Sequence, residues 1–311
     1  MQCNSENVSF YVMRNIISFI CVSLITLNAY AGEKASNLAN QTIDKATNYL
    51  NNSTENNTRN FLSNYFPTVE VQVDLINREQ PSTGILVVMP LSNPDDLINT
   101  FFNQSSIYHH DNRTTINIGF GYRRLMLGNK LLFGTNIFYD HEFPYHHKRY
   151  SAGLEMKTSV GQINYNQYFN GTSWKIGKSG VSERALSGSD LEIGMPLPYM
   201  NWATVFVKQF RWDAVNNVFD KKGNTVSLRA FIPVLPAFEV EAGHTNHHRG
   251  KKDTNFINIT YNLVHQNKRQ QWINSKAYTL TDVSHLRYSK VRRENKIYKQ
   301  TDNNGVTTTG F

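Results

Sequence analysis

The residues best able to do chemistry in this 311-residue chain are its histidines: His109-His110, Asp140-His141, His146-His147, His244 and His247-His248. A histidine set beside a serine and an aspartate would serve acyl or peptide hydrolysis, and clustered histidines would bind a metal ion. Neither arrangement has a diagnostic spacing here. Adjacent histidines in an extended strand point to opposite faces, so each pair chelates poorly. The sequence therefore assigns no catalytic residue, no metal ligand and no cofactor-binding residue, and it implies no cofactor. Hydrolysis is kept only as a third functional reading.

What these side chains do depends on the elements that position them. Hydrophobic residues make up 40% of the chain, charged residues 18% and aromatics 12%, too few charges and too many rings for a disordered polymer. Mean hydropathy is −0.48. Past the N-terminus no apolar run approaches the roughly 18 residues of a membrane helix, which excludes a helical membrane bundle.

Asn15 to Leu27 is apolar, follows Arg14, and leads to Ala29-Tyr30-Ala31. Charge, short apolar middle and small-x-small exit describe a secretory signal peptide over 1–31, with translation starting at Met1 or Met13. Both cysteines, Cys3 and Cys21, fall in that removable part, so the mature chain is expected to lack disulfides and a thiol nucleophile. Residues 32–66 are polar and Asn-rich, with Leu38, Ile43, Ala46 and Leu50 spaced loosely like a helix face. They are expected to form a periplasmic lead-in, helical or flexible.

From Thr68 the period becomes two. Val69, Val71, Val73 and Leu75 alternate with Glu70, Gln72 and Asp74, and the same pattern recurs through Ile116–Tyr122, Leu131–Tyr139, Tyr150–Met156 and Ile257–Leu263. Such segments are strands with one apolar and one polar face. A soluble sandwich shares that pattern. Two features favour a membrane barrel: the polar face is rich in Asn, Gln, Gly and Glu, and Tyr or Phe sits toward strand ends as interfacial girdles do. About twelve segments are expected, at 68–76, 83–91, 97–109, 114–125, 130–143, 148–158, 160–169, 189–196, 203–213, 225–232, 237–245 and 255–264. The third alternates poorly, and Asp95-Asp96 before it would also suit a helix cap. The ninth has mixed parity, because Phe206, Phe210 and Trp212 share a face with Lys208. The fold class read from these elements is all-β: a 12-stranded antiparallel outer-membrane barrel over 67–264, with a C-terminal linker at 265–311. Gly128-Asn129 suits a tight periplasmic turn, and Asn170–Ser182 and Val215–Asn224 suit surface loops.

Specific residues then add to the periodicity. GTNIFYDHEF (Gly134 to Phe143) resembles the signature strand of the intimin/invasin family, the inverse autotransporters of Gram-negative bacteria. FGYRRL (Phe120 to Leu125), RYSAGLEMK (Arg149 to Lys157), NQYFNGTSW (Asn166 to Trp174), ERALSGSDLE (Glu183 to Glu192), LPYM (Leu197 to Met200) and VKQFRW (Val207 to Trp212) resemble the family's other motifs in order, and LRYSKVRRENKI (Leu286 to Ile297) resembles its segment just beyond the pore. The resemblance spans roughly residues 60–300. It implies a periplasmic N-terminus, an outer-membrane location, and a C-terminal passenger exported through the pore. In that family the passenger has immunoglobulin-like domains and a lectin-like tip that binds host cells. No recognisable peptidoglycan-binding module stands between signal and barrel, where longer relatives carry one, and the sequence runs to Phe311. The passenger is therefore expected to be missing or truncated, and a host-cell receptor is implied only where a passenger exists. The class also implies outer-membrane lipid, the barrel-assembly machinery and periplasmic chaperones as partners, and a homodimer stays open.

The tail of 47 residues (311 − 264) carries nine basic and three acidic residues, a net +6 within the chain's +8. Fully extended, crossing a layer of about 40 Å takes roughly 12 residues, so threading through the pore is feasible. By parity Asp140, Glu155, Glu192, Glu239 and Glu241 face the lumen. Either these carboxylates hold a threaded segment through Arg287, Lys290, Arg292 and Arg293, or they only line a hydrated channel. Arg123 and Asp140 are expected to pair as a structural salt bridge across neighbouring strands. No nucleic-acid fold accompanies the basic tail, so nucleic acid is not an expected partner. The leading functional reading is a non-enzymatic translocator barrel, the second a stand-alone pore for small solutes.

Overall fold

The computed structural model describes residues 65–76, 81–216, 218–231, 235, 237–248, 252–264, 272–302 and 305–307. The expected signal peptide and nearly all of the lead-in lie outside the described residues. Twelve antiparallel strands close into a barrel. They are β1 (Thr68–Ile76), β2 (Ser82–Pro90), β3 (Asn99–His110), β4 (Arg113–Met126), β5 (Leu131–Phe143), β6 (His147–Thr158), β7 (Gly161–Asn170), β10 (Ser187–Leu197), β11 (Met200–Asp213), β12 (Lys221–Phe231), β13 (Phe238–His247) and β14 (Thr254–Asn262). Each pairs with its neighbour in the chain, β7 pairs with β10, and β1 closes on β14 through Glu70↔Asn262 to Ile76↔Phe256. Closure leaves no open edge, the condition for crossing a bilayer with strands. No described helix is long and apolar enough to cross a membrane.

The period-two pattern sorts side chains as expected. Ile118, Phe120, Phe133, Ile137, Tyr150, Leu154 and Met156 point outward and are exposed, because outside they meet hydrocarbon rather than protein. Asn117, Asn136, Asp140, Glu155 and Asn164 point inward and are buried. β3 is a strand despite its weak alternation. Asp96 caps a turn before it rather than a helix, its Oδ1 accepting from the N–H groups of Ile98 and Asn99. In β11 the mixed parity resolves inward: Phe206, Phe210 and Trp212 are buried on the lumen side with Lys208. Between β4 and β5, Gly128 and Asn129 adopt φ of 62° and 64°, the left-handed turn that Gly and Asn accept most readily.

Beyond the barrel strands lies a second, four-stranded sheet. β8 (Lys175–Ile176), β9 (Ser182–Ala185), β15 (Lys299–Thr301) and β16 (Gly305–Thr307) run in the order β16-β15-β9-β8. The β7–β10 connection, expected to be a surface loop, thus supplies two strands, and the C-terminal tail supplies the other two.

Candidate functional site

Residues 283–300 contact inward-facing side chains from one rim of the barrel to the other. At the rim that carries Thr68 and Asn262, Val283 packs on Leu125 and Leu132, and the Thr68 hydroxyl donates to the Tyr288 carbonyl at 2.6 Å. At the opposite rim Lys299 meets Glu142 at 2.5 Å, and β15 hydrogen-bonds to β9.

Between those points the segment is extended, and its alternation distributes charge to opposite walls. Lys290 reaches Glu70 at 2.9 Å and Glu239 at 3.1 Å. Val291 points the other way, into Leu86, Val88, Phe102 and Phe138, while its N–H donates to Gln104 at 2.7 Å. Arg292 returns to the first wall and forks between Glu192 (2.5 and 3.0 Å) and Glu241 (3.0 and 3.1 Å), its guanidinium 3.8 Å above the Phe206 ring. Arg293 faces Asp140 at 2.9 and 2.7 Å and lies over Phe138 at 4.2 Å. Forked contacts of this kind match guanidinium to carboxylate geometry.

The wall also grips the backbone. Arg123 donates to the carbonyls of Arg287 and Ser289, and Arg149 to those of Glu294 and Lys296. Higher up, Tyr298 stacks on Trp212 with centroids 4.2 Å apart. Asp140 and Arg149 are fully buried, as are Arg123 and Lys299 to within 1%. Charges so enclosed are tolerated only when paired and hydrogen-bonded, and here they are. Beside the segment, on the β11–β14 side, a cavity of about 210 Å³ remains, lined by both carboxylates and cations.

The expected Arg123–Asp140 pair does not form. Register sets Arg123 opposite Gly134 and Asp140 opposite Asn117, six positions further along β5, roughly 20 Å away. Arg123 instead pairs with Glu155 on β6, and Asp140 with Arg149 and Arg293. Arg287 stays at the rim, donating to the carbonyls of Pro94 and Asp96. Sequence reasoning passed over Glu70, Asp74, Glu142, Arg149, Lys296 and Lys299. The signal was present for four of them, since Glu70, Asp74, Glu142 and Arg149 occupy the polar parity of strands already read as alternating.

At the far mouth, outside the barrel wall, Glu183 on β9 receives Arg113 at 2.8 Å and lies 3.3 Å from His147. Burial pushes its carboxyl up, but the adjoining His147 ring and the Arg113 guanidinium outweigh that and hold it at about 2. At the other rim, hydrogen bonds from the Ser284 side chain and N–H lower the carboxyl of exposed Asp282. Among the other described histidines, His109 meets Thr114 at 3.1 Å and His244 meets Asn255 at 2.7 Å. Among the described residues no group of three or more His, Cys, Asp or Glu side chains is placed to hold a metal ion.

A family model described as the β-domain of inverse autotransporters matches residues 23–295. The chain belongs to this family. Inverse autotransporter adhesin YeeJ of Escherichia coli K12 is 27% identical over 216 residues, covering 66% of this chain and 9% of the relative. Invasin of Yersinia enterocolitica is 33% identical over 100 residues, 32% of this chain and 12% of the relative. An attaching and effacing protein homolog of E. coli K12 is 33% identical over 106 residues, 33% of this chain and 36% of the relative. The matched stretches thus span about a third of one curated relative and about a tenth of the others. A membrane protein solved in a study of in-meso crystallization shares the fold, with a TM-score of 0.63 and 19% identity over 76% of this chain and all of that one.

This inverse autotransporter barrel therefore resides in the Gram-negative outer membrane. An even number of strands puts both barrel ends on one side, and the class has short periplasmic turns and longer outer loops. The connections 159–160 and 198–199 lie on the Thr68 and Asn262 rim, against the long β7–β10 connection opposite. That rim is therefore periplasmic, and the β8–β9 side faces outward.

Proposed function

We propose that this chain is a non-enzymatic outer-membrane anchor and export conduit, whose lumen retains the C-terminal segment after that segment has crossed outward. The strongest support is the alternation along 290–293, which delivers Lys290 and Arg292 to Glu70, Glu239, Glu192 and Glu241 while Arg293 meets Asp140. A segment resting idle in the periplasm has no reason to match inward carboxylates on opposite walls. Attachment to host cells would belong to a passenger following the segment, as the names of the invasin and adhesin relatives suggest.

Planar-bilayer conductance tests the reading. Deleting residues 265–311 is expected to raise single-channel conductance severalfold by clearing the lumen. Unchanged conductance would favour the stand-alone pore, with the cavity beside the tail as its path.

A further inference from the structure

On the outer surface at the extracellular rim, four basic side chains gather with no acid among them. In the β5–β6 ladder His141 stands opposite Lys148, and Tyr139 opposite Tyr150. All four point outward by the alternation of their strands. His146 lies in the connecting turn, its Nδ1 3.0 Å from Nε2 of His141, whose Nδ1 is 3.0 Å from the Tyr139 hydroxyl. Lys175 on β8 joins them, its ammonium donating to the His146 carbonyl at 3.3 Å, while the Thr172 hydroxyl holds the Lys148 N–H at 3.2 Å. Elsewhere on this rim Arg211 pairs with Asp213 and Asp220, Lys222 with Asp220, and Lys178 with Asp111. Among the described residues no ion pair engages His141, His146, Lys148 or Lys175.

Height in the membrane says what such a patch meets. Below it on the same two strands run Tyr139 and Tyr150, with centroids 5.4 Å apart, and then Ile137, Leu154 and Met156, all exposed on the lipid side. Aromatic pairs at that position mark the boundary between acyl chains and headgroups. His141 and Lys148 stand two residues, roughly 7 Å, further out, at headgroup level. His141 is pinned there by stacking on Phe143 at 4.3 Å and by its two hydrogen bonds.

We propose that His146, Lys148 and Lys175 bind the phosphate of an outer-leaflet glycolipid, with His141 positioning His146 and with Tyr139 and Tyr150 receiving the base of its acyl chains. The site rests on the outward orientation of this rim. A membrane-impermeant maleimide on intact cells carrying Ser173→Cys tests that orientation separately: labelling supports it, and protection overturns it without touching the binding result.

Native mass spectrometry of the folded full chain in detergent, titrated with bisphosphorylated lipid A and with its phosphate-free form, tests the site. Near a surface each lysine contributes roughly a fivefold factor toward anionic lipid. Lys148→Gln with Lys175→Gln is therefore expected to weaken binding of the phosphorylated form by at least about tenfold. Arg211→Gln with Lys222→Gln is expected to leave it unchanged, and the phosphate-free form is expected to bind the native chain as weakly as the Lys variant binds the phosphorylated one. Heat-modifiable gel mobility shows that each variant is folded. Equal binding of the two lipid forms, or full displacement by inorganic phosphate, would overturn the assignment to a lipid headgroup.

Discussion

The guanidinium of Arg123 on β4 crosses over Gly134 on β5 to the carboxylate of Glu155 on β6, with Nε 2.5 Å from Oε1. A Cβ built on Gly134 would lie 2.6 Å from that Oε1 and 3.1 Å from Arg123 Cγ. The glycine is thus the gap through which two non-adjacent strands share one buried ion pair. The same arginine then holds the tail through two backbone carbonyls.

Gly134→Ala should strain this pair and lower stability by about 1–3 kcal/mol, the usual range for overpacking. Urea unfolding of the barrel in lipid vesicles measures it. An unchanged midpoint would mean that the pair shifts freely aside.

Removing Asp140 leaves Arg149 and Arg293, both buried, without their carboxylate. Asp140→Asn is expected to cost about 3–5 kcal/mol, as loss of one partner from a buried pair generally does. Limited proteolysis should also cut residues 283–302 faster than in the native chain. Charge reversal at Glu239 and Glu241 should accelerate cleavage in the same way, because Lys290 and Arg292 then face like charge. Protection that stayed at the native level would sink the retention idea.

Glu183 ties the mouth sheet to the barrel through Arg113 and His147. Its carboxyl falls from an ordinary 4.5 to about 2 in the folded chain. The depressed value means that this contribution is complete above 4.5 and fades as pH drops toward 2. Protection of the β9 and β15 amides, measured as hydrogen exchange relative to the intrinsic rate at each pH, should therefore fall across that window in the native chain. Glu183→Gln should show low protection already at neutral pH and less change on acidification. Identical pH profiles for the two would assign the acid sensitivity to other groups.

Ile137 is 62% exposed on the outer face near the middle of β5. Ile137→Arg should destabilise the barrel by about 2–4 kcal/mol in a bilayer, the cost of a cation at the midplane. In detergent micelles, whose apolar layer yields more easily, the penalty should shrink. Equal stability in both media would argue against a hydrocarbon surround.

Much of this architecture was legible in residue order. Strict alternation in β1, β4, β5, β6 and β14 placed the strands within a residue or two and separated lipid-facing from lumen-facing positions. The charge of the tail offered it as a partner for inward carboxylates, with a merely hydrated channel as the open alternative. Less was legible where one segment served two roles. The aromatic residues of β11 read as mixed parity, on a face shared with Lys208, and that face is the lumen, where Phe206 lies under Arg292 and Trp212 stacks on Tyr298. Short strands β8 and β9 carry no period long enough to detect, since β8 has two residues and β9 four.

Residue order by itself determined the strand period, the two-faced surface and the family, because each follows from local spacing and side-chain type. Tertiary structure alone decided which charge meets which: Arg123 with Glu155 rather than Asp140, Arg149 and Arg293 sharing Asp140, and β15 added to β9 over the mouth. Parity says which face a side chain takes. Its height on that face comes from the register of paired strands, which turn geometry and closure of the ring set together.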